Sequence, residues 1–364
     1  MKFLSKLLLV ALLLTMSFVS WATCPEDSNN NYKGDCVLKP GAQKMPPIED
    51  SANSEGHLSR NSRDGQPIDP PVKGKKYLAN GWVDHGIVLR ARDVGLTAVG
   101  VGWGDPTAIV LADGRIRLYV LAERHGIRSL ISSDGLHFEL EKGARIGQPV
   151  SHPEISKDPR GGYRLFYGSE GQSKSAISRD GLNFTVELGS RFSASMINAH
   201  TISPISYYDT KQGYVRGYVS DLPDSGSGPE MRAVYSLRSE DLIDWELEEL
   251  VIGGRRGMGV KPVPINRESE ASLSMSAEAP SVYDRGDGTA DIYFCFNMLS
   301  PELGGPTGIF RTTVDSSGHY SKPKLIVSGC DPNVIRRKDG RFVMYYGDYD
   351  SAEGGYVLAI SRQL

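Results

Sequence analysis

The acidic and imidazole side chains of this chain recur beside prolines. Asp105 precedes Pro106, His152 precedes Pro153 with Glu154 after it, and Asp331 precedes Pro332. Glu278 stands two residues ahead of Pro280, and His200 and Ser203 lie just ahead of Pro204. Two carboxyl groups facing each other across a gap can break a bond between sugars. One must be a neutral acid that protonates the leaving oxygen, and the other an anionic base or nucleophile. Crowding such groups drives their proton affinities apart, so that one stays protonated near neutral pH. Asp105, Glu154, Glu278 and Asp331 are the carboxylates these positions offer. Trp103, just ahead of Asp105, is the candidate to stack on a sugar ring. His152, Glu154, His200 and Asp331 are the candidate binding contacts. Each has a plainer reading as well: Asp-Pro favours turn initiation, and Glu278 follows the polar run from Ser272. No CxxC pair or HExxH stretch is present and the histidines are scattered, so no metal site is expected.

The elements that must hold these residues repeat five times. Asp105 to Gly114 is followed by the run Arg115 to Val120, and His152 to Gly162 by Tyr163 to Tyr167. Ser203 to Asp209 leads to Gly213 to Tyr218, Glu278 to Asp284 to Gly288 to Phe294, and Asp331 to Gly340 to Arg341 to Tyr346. Each reads as proline, strand, Asp/Gly turn, aromatic strand. Such turns suit hairpins, and a proline is tolerated at a strand end. A third strand follows, closed in three repeats by a tail: Ser132-Ser-Asp134-Gly135-Leu-His-Phe138, Ser178-Arg-Asp180-Gly181-Leu-Asn-Phe184 and Ser239-Glu-Asp241-Leu-Ile-Asp-Trp245. The tail leads into a fourth strand. Four strands in about fifty residues is the pattern of a propeller blade.

The fold class is therefore all-β, a five-bladed β-propeller. The fifth repeat ends at Leu364 after three strands, and Tyr77 to Arg92, containing Gly81-Trp82-Val83-Asp84-His85-Gly86, resembles the missing fourth. The N-terminal strand is expected to complete the last blade, which protects the edges of the ring. An open sandwich would not repeat proline, turn and aromatic strand five times. A six-bladed sialidase would separate Asp and Gly by one residue in its tails, whereas here they are adjacent.

The expected boundaries are a signal peptide at 1–22, a polar extension at 23–76 and the propeller at 77–364. Lys2 and Lys6 precede a short apolar run, and Ser20 and Ala22 offer small residues for cleavage. Residues 23–76 carry too few apolar side chains to bury a core. A secreted or periplasmic protein is expected, in which the four cysteines can pair. Cys24 with Cys36 would close a small loop, and Cys295 with Cys330 would staple adjacent repeats, though four cysteines allow three pairings. The formal net charge of −3 gives no reason to expect nucleic acid or an anionic membrane as partner. The expected partner is a carbohydrate, the expected state a monomer, with no membrane contact after cleavage. No cofactor is required, although oxygen-bearing blade starts would suit a calcium ion in the channel.

Gly104-Asp105-Pro106-Thr107 resembles the catalytic-base motif of glycoside hydrolase family 43. Glu278-Ala279-Pro280 resembles that family's acid motif, usually Glu-Gly-Pro. The resemblance covers residues 77–364 and extends to the arabinanase, β-xylosidase and invertase group. It implies a five-bladed hydrolase with Asp105 as base and Glu278 as general acid. It also implies a third carboxylate at the third blade start, where this chain has Asn198-Ala-His200-Thr-Ile-Ser203-Pro204 and no acid. Glu154, Asp221 or Asp331 could substitute. Alternatively the chain has lost catalysis and is a propeller that binds a glycan or a protein.

Overall fold

The computed structural model describes residues 77–94, 103–122, 125–222, 232–253, 275–298, 308–348 and 355–363, with four short strands nearer the N-terminus. The expected leader and Cys24 lie outside the described residues. Trp103 opens a strand, but its side chain is also outside them.

Five antiparallel blades are present. Blade 1 comprises Trp103–Val110, Ile116–Ala122, Gly126–Ser132 and Glu139–Leu140. Blade 2 comprises Ser151–Lys157, Tyr163–Ser169, Gln172–Ser178 and Thr185–Val186, with Phe192–Ser193 also on its third strand. Blade 3 has a divided first strand, Thr201–Ile202 and Ser206–Asp209, then Val215–Leu222, Ala233–Ser239 and Glu246–Gly253. Blade 4 comprises Met275–Asp284, Ala290–Met298, Gly308–Val314 and Lys324–Val327. Blade 5 comprises Cys330–Arg336, Phe342–Asp348 and Tyr356–Arg362, and its fourth strand is Val83–Arg90 from the N-terminal side. The expected closure is therefore found, with Tyr356 opposite Arg90 and Ser361 opposite Val83.

Alternating side chains fill the seams between blades. Each of five apolar clusters bridges two neighbouring blades. One joins Leu118 and Val120 of blade 1 to Val343 and Tyr345 of blade 5, and another joins Tyr218 of blade 3 to Phe294 of blade 4. The tails latch the seams. Asp134 Oδ1 accepts the Leu136 and His137 N–H groups, Ser132 Oγ accepts that of Gly135, and Ser178 and Asp180 repeat the arrangement. The turn presents its glycine carbonyl to the preceding blade: Tyr345 donates to Gly135 and Tyr119 to Gly181. Both glycines have positive φ, and a Cβ on either would meet the tyrosine hydroxyl at under 3 Å. In blade 3 Leu242 occupies this place, and the residue facing the tail is Phe166, packed edge-to-face on Trp245 at 6.1 Å. Without a hydroxyl to admit, the glycine is not needed.

Cys295 and Cys330 form the expected staple, with Cα atoms 5.1 Å apart. Among the described residues there is no α-helix, and no helix is long and apolar enough to cross a membrane. The polar extension at 23–76 holds two antiparallel strand pairs: Ser28–Asn30 with Cys36–Leu38, and Arg60–Asn61 with Pro67–Ile68. Residues 1–56 form one compact unit and 57–364 a second.

Candidate active site

One residue of each first strand faces the propeller axis: Thr107, Glu154, Ser206, Ser281 and Asn333. They form a buried ring. Thr107 Oγ1 accepts the Ile155 N–H, Ser206 Oγ accepts that of Val282, and Asn333 Oδ1 accepts that of Ala108. With their lone pairs engaged in this way, the hydroxyls turn their hydrogens inward. Glu154 Oε1 accepts from Ser206 at 2.6 Å and Ser281 at 3.2 Å. Burial pushes the Glu154 carboxyl up to about 7, against the opposing pull of these hydrogen bonds. Glu154, expected among the sugar contacts, is the hub of the axial ring. The bulge between Ser151 and Pro153 turns it inward, two residues beyond the mouth position of its blade.

Immediately before the ring residue, four first strands bulge. The residue two places ahead of it then takes a left-handed backbone: Asp105 at φ 47°, His152 at 38°, Ala279 at 49° and Asp331 at 50°. Non-glycine residues are strained there, and such strain gathers at functional sites. In blade 3 the matching residue is Pro204, whose ring forbids positive φ. That blade's first strand is divided at this point instead. Ala279 thus occupies a backbone conformation that favours glycine.

Asp105 and His152 meet at the mouth. His152 Nε2 lies 3.6 Å from Asp105 Oδ2, and both side chains are largely buried. His152 Nδ1 is buried without a hydrogen-bond partner.

Glu278 sits one residue earlier in its strand than Asp105 does, so it points toward the preceding blade. Cys330, at the equivalent place in blade 5, does the same and reaches Cys295 of blade 4. Glu278 reaches Arg232, with which it forms an ion pair; the two side chains are 10% and 6% exposed. Backbone contacts close this seam: Ala277 N–H donates to the Arg232 carbonyl at 3.0 Å, and Ala279 N–H to Ser220 Oγ at 3.1 Å. Asp221 Oδ1 accepts the neighbouring Ala233 N–H at 2.6 Å. Blade 3 therefore contributes a carboxylate beside Arg232, from its second strand and not from its start. Ser203, at the start, is buried and accepts the Ser220 N–H.

The remaining candidates are more dispersed. Asp331 is half-buried, its carboxylate close over Gly347 and its N–H donating to Cys295 Sγ. His200 is exposed, ahead of the divided strand of blade 3. Cys295, Cys330 and Asp331 bring potential metal-binding atoms within 4.8 Å of one another, but both sulfurs are in the disulfide. Sequence reasoning missed Arg232. It stands just before the strand Ala233–Ser239, and nothing in its local sequence separates it from a surface arginine.

Among solved structures, the fold is shared with a thermostable family-43 glycoside hydrolase at 17% identity and a TM-score of 0.52, covering 72% of this chain and 89% of that one. An endo-arabinase from Bacteroides thetaiotaomicron matches at 15% identity and 0.51, covering 72% and 94%. An endo-1,4-beta-xylanase from the same organism matches at 15% and 0.51, covering 72% and 92%. No family model and no curated protein matches the chain. The chain thus has the five-bladed propeller fold of family-43 and related glycoside hydrolases.

Proposed function

We propose that the chain is an exported glycoside hydrolase in which Asp105 acts as base and Glu278 as general acid. The observation carrying this reading is that the two carboxylates stand at the mouth-side starts of first strands in blades 1 and 4, each buried against one cationic or imidazole partner. A buried carboxylate there has a function to justify its desolvation. The substrate class is a glycan, with Asp331 and His152 as contacts at the mouth. The disulfide fits an oxidising compartment. The test is hydrolysis of aryl arabinofuranoside, xyloside, galactoside, fructoside and glucuronide substrates. Turnover that Asp105→Asn and Glu278→Gln each abolish, with melting unchanged, supports the reading; turnover that survives both removes it.

A second reading is favoured by one observation. The Glu278–Arg232 ion pair stabilises the carboxylate, whereas a general acid must carry a proton. On that reading the propeller binds a glycan without cleaving it, and no substrate in the panel turns over.

A further inference from the structure

We propose that the seam between blades 3 and 4 recognises a sugar carboxylate, and that Arg232 is the residue that binds it and releases Glu278 to act as acid. This rests on the assignment of Glu278 to the reacting site.

Arg232 and Glu278 form a nearly dry ion pair at the start of blade 4's first strand. In that pairing the guanidinium and the Glu278 carboxylate offset each other, with Asp221 close by. A neutral sugar brings nothing that competes for the guanidinium, and Glu278 remains a carboxylate. A uronic acid brings a planar carboxylate, whose two oxygens match the guanidinium fork. When it takes Arg232, Glu278 is left in a buried place without its cation. An isolated buried carboxylate is strongly disfavoured, so it takes up a proton from solvent. The charge in the seam is unchanged: arginine stays positive, the ligand supplies the negative charge, and Glu278 becomes neutral. Glu278 is then in the form a general acid requires.

The other ionisable groups from the elements packed here do not supply that proton. Asp221, on the second strand of blade 3, accepts the Ala233 N–H and is a fixed acceptor. Tyr235, on the third strand, has its phenol pushed up to about 12 by burial and by Asp221, and stays neutral near pH 7. His152 lies across the mouth against Asp105.

The experiment is calorimetric titration of the full chain with D-glucuronate, D-galacturonate, glucose and galactose at pH 7, in two buffers of different ionisation enthalpy. Uronates should bind at least tenfold tighter than the neutral sugars, with uptake of about one proton per ligand. Arg232→Gln should erase both the preference and the uptake, and Arg232→Lys should weaken the preference while leaving the fold intact. Equal binding of neutral sugars, uronate binding without proton uptake, or no binding at all would overturn the proposal. The wild-type proton count needs no variant, so a misfolded Arg232→Gln does not remove the test. Neutral aryl glycosides assayed in parallel separate the two ideas: their turnover without uronate preference keeps the hydrolase and removes this inference.

Discussion

His152 Nε2 stands 3.6 Å from Asp105 Oδ2, and the two residues occupy the same strained position in neighbouring blades. The imidazole packs against the carboxylate, and on the proposed role of Asp105 a displaced base loses rate steeply. His152→Phe is expected to lower kcat/KM about 10- to 100-fold, mainly through kcat. Steady-state kinetics beside a melting curve check this; a loss of rate with unchanged melting temperature is the expected pair of results.

Ala279 takes φ 49° where its neighbour Glu278 must be aimed at Arg232. Ala279→Gly removes a Cβ from a left-handed backbone, which is expected to stabilise the fold by about 1 kcal/mol despite the added chain entropy. That corresponds to a melting temperature higher by about 2–4 °C. An unchanged or lower value would show that the backbone relaxes once the Cβ is gone.

Glu154 links stability to pH. Its carboxyl is pushed from the ordinary 4.5 up to about 7 in the folded state. Below pH 4.5 both folded and unfolded chains carry the proton, and there is no penalty. Between 4.5 and 7 the unfolded chain ionises first, so folding becomes less favourable as pH rises. Above 7 the penalty levels off at about 3 kcal/mol. Glu154→Gln has no such proton. Urea denaturation of both proteins from pH 4 to 9 should show the variant gaining on wild type by about that amount, with the change centred between 4.5 and 7. Parallel curves would mean the ring holds the carboxylate as firmly as the acid.

The Cys295–Cys330 bridge closes a separation of 35 residues at the seam between blades 4 and 5. Loop-closure entropy gives it about 3–4 kcal/mol. Cys295→Ser with Cys330→Ser, or reduction of the wild type, should lower the melting temperature by several degrees. The blade count and the strand order should be retained, because Val83–Arg90 still closes the ring.

The architecture was legible because it is written five times. Proline, turn and aromatic strand recur, and the unmatched Tyr77–Arg92 stretch is the strand that blade 5 lacks. The repeats put Cys295 and Cys330 within reach of each other but left three pairings open, and the packed seam selects this one. Roles of single residues were harder to read, because they depend on which way one residue of a bulge turns. His152 and Glu154 are separated by the bulge between Ser151 and Pro153, and so one goes to the mouth and the other to the axis. The offset of Glu278 by one place relative to Asp105 is plain in the sequence, but its consequence, the turn toward blade 3, needs the packed seam. Arg232 is brought to Glu278 by the pairing of blades, a contact between residues 46 apart that no local pattern encodes.

The central claim is that Asp105 and Glu278 have different roles in breaking one glycosidic bond. The dependence on the leaving group separates them most directly. A good leaving group departs without a proton, whereas a poor one needs the acid. Aryl glycosides spanning phenols of high and low acidity would be run with wild type, Glu278→Gln and Asp105→Asn. Glu278→Gln is expected to retain near wild-type turnover on dinitrophenyl glycosides and to fail on phenyl glycosides, while Asp105→Asn fails on both. Equal losses by Glu278→Gln across the whole series would contradict the account.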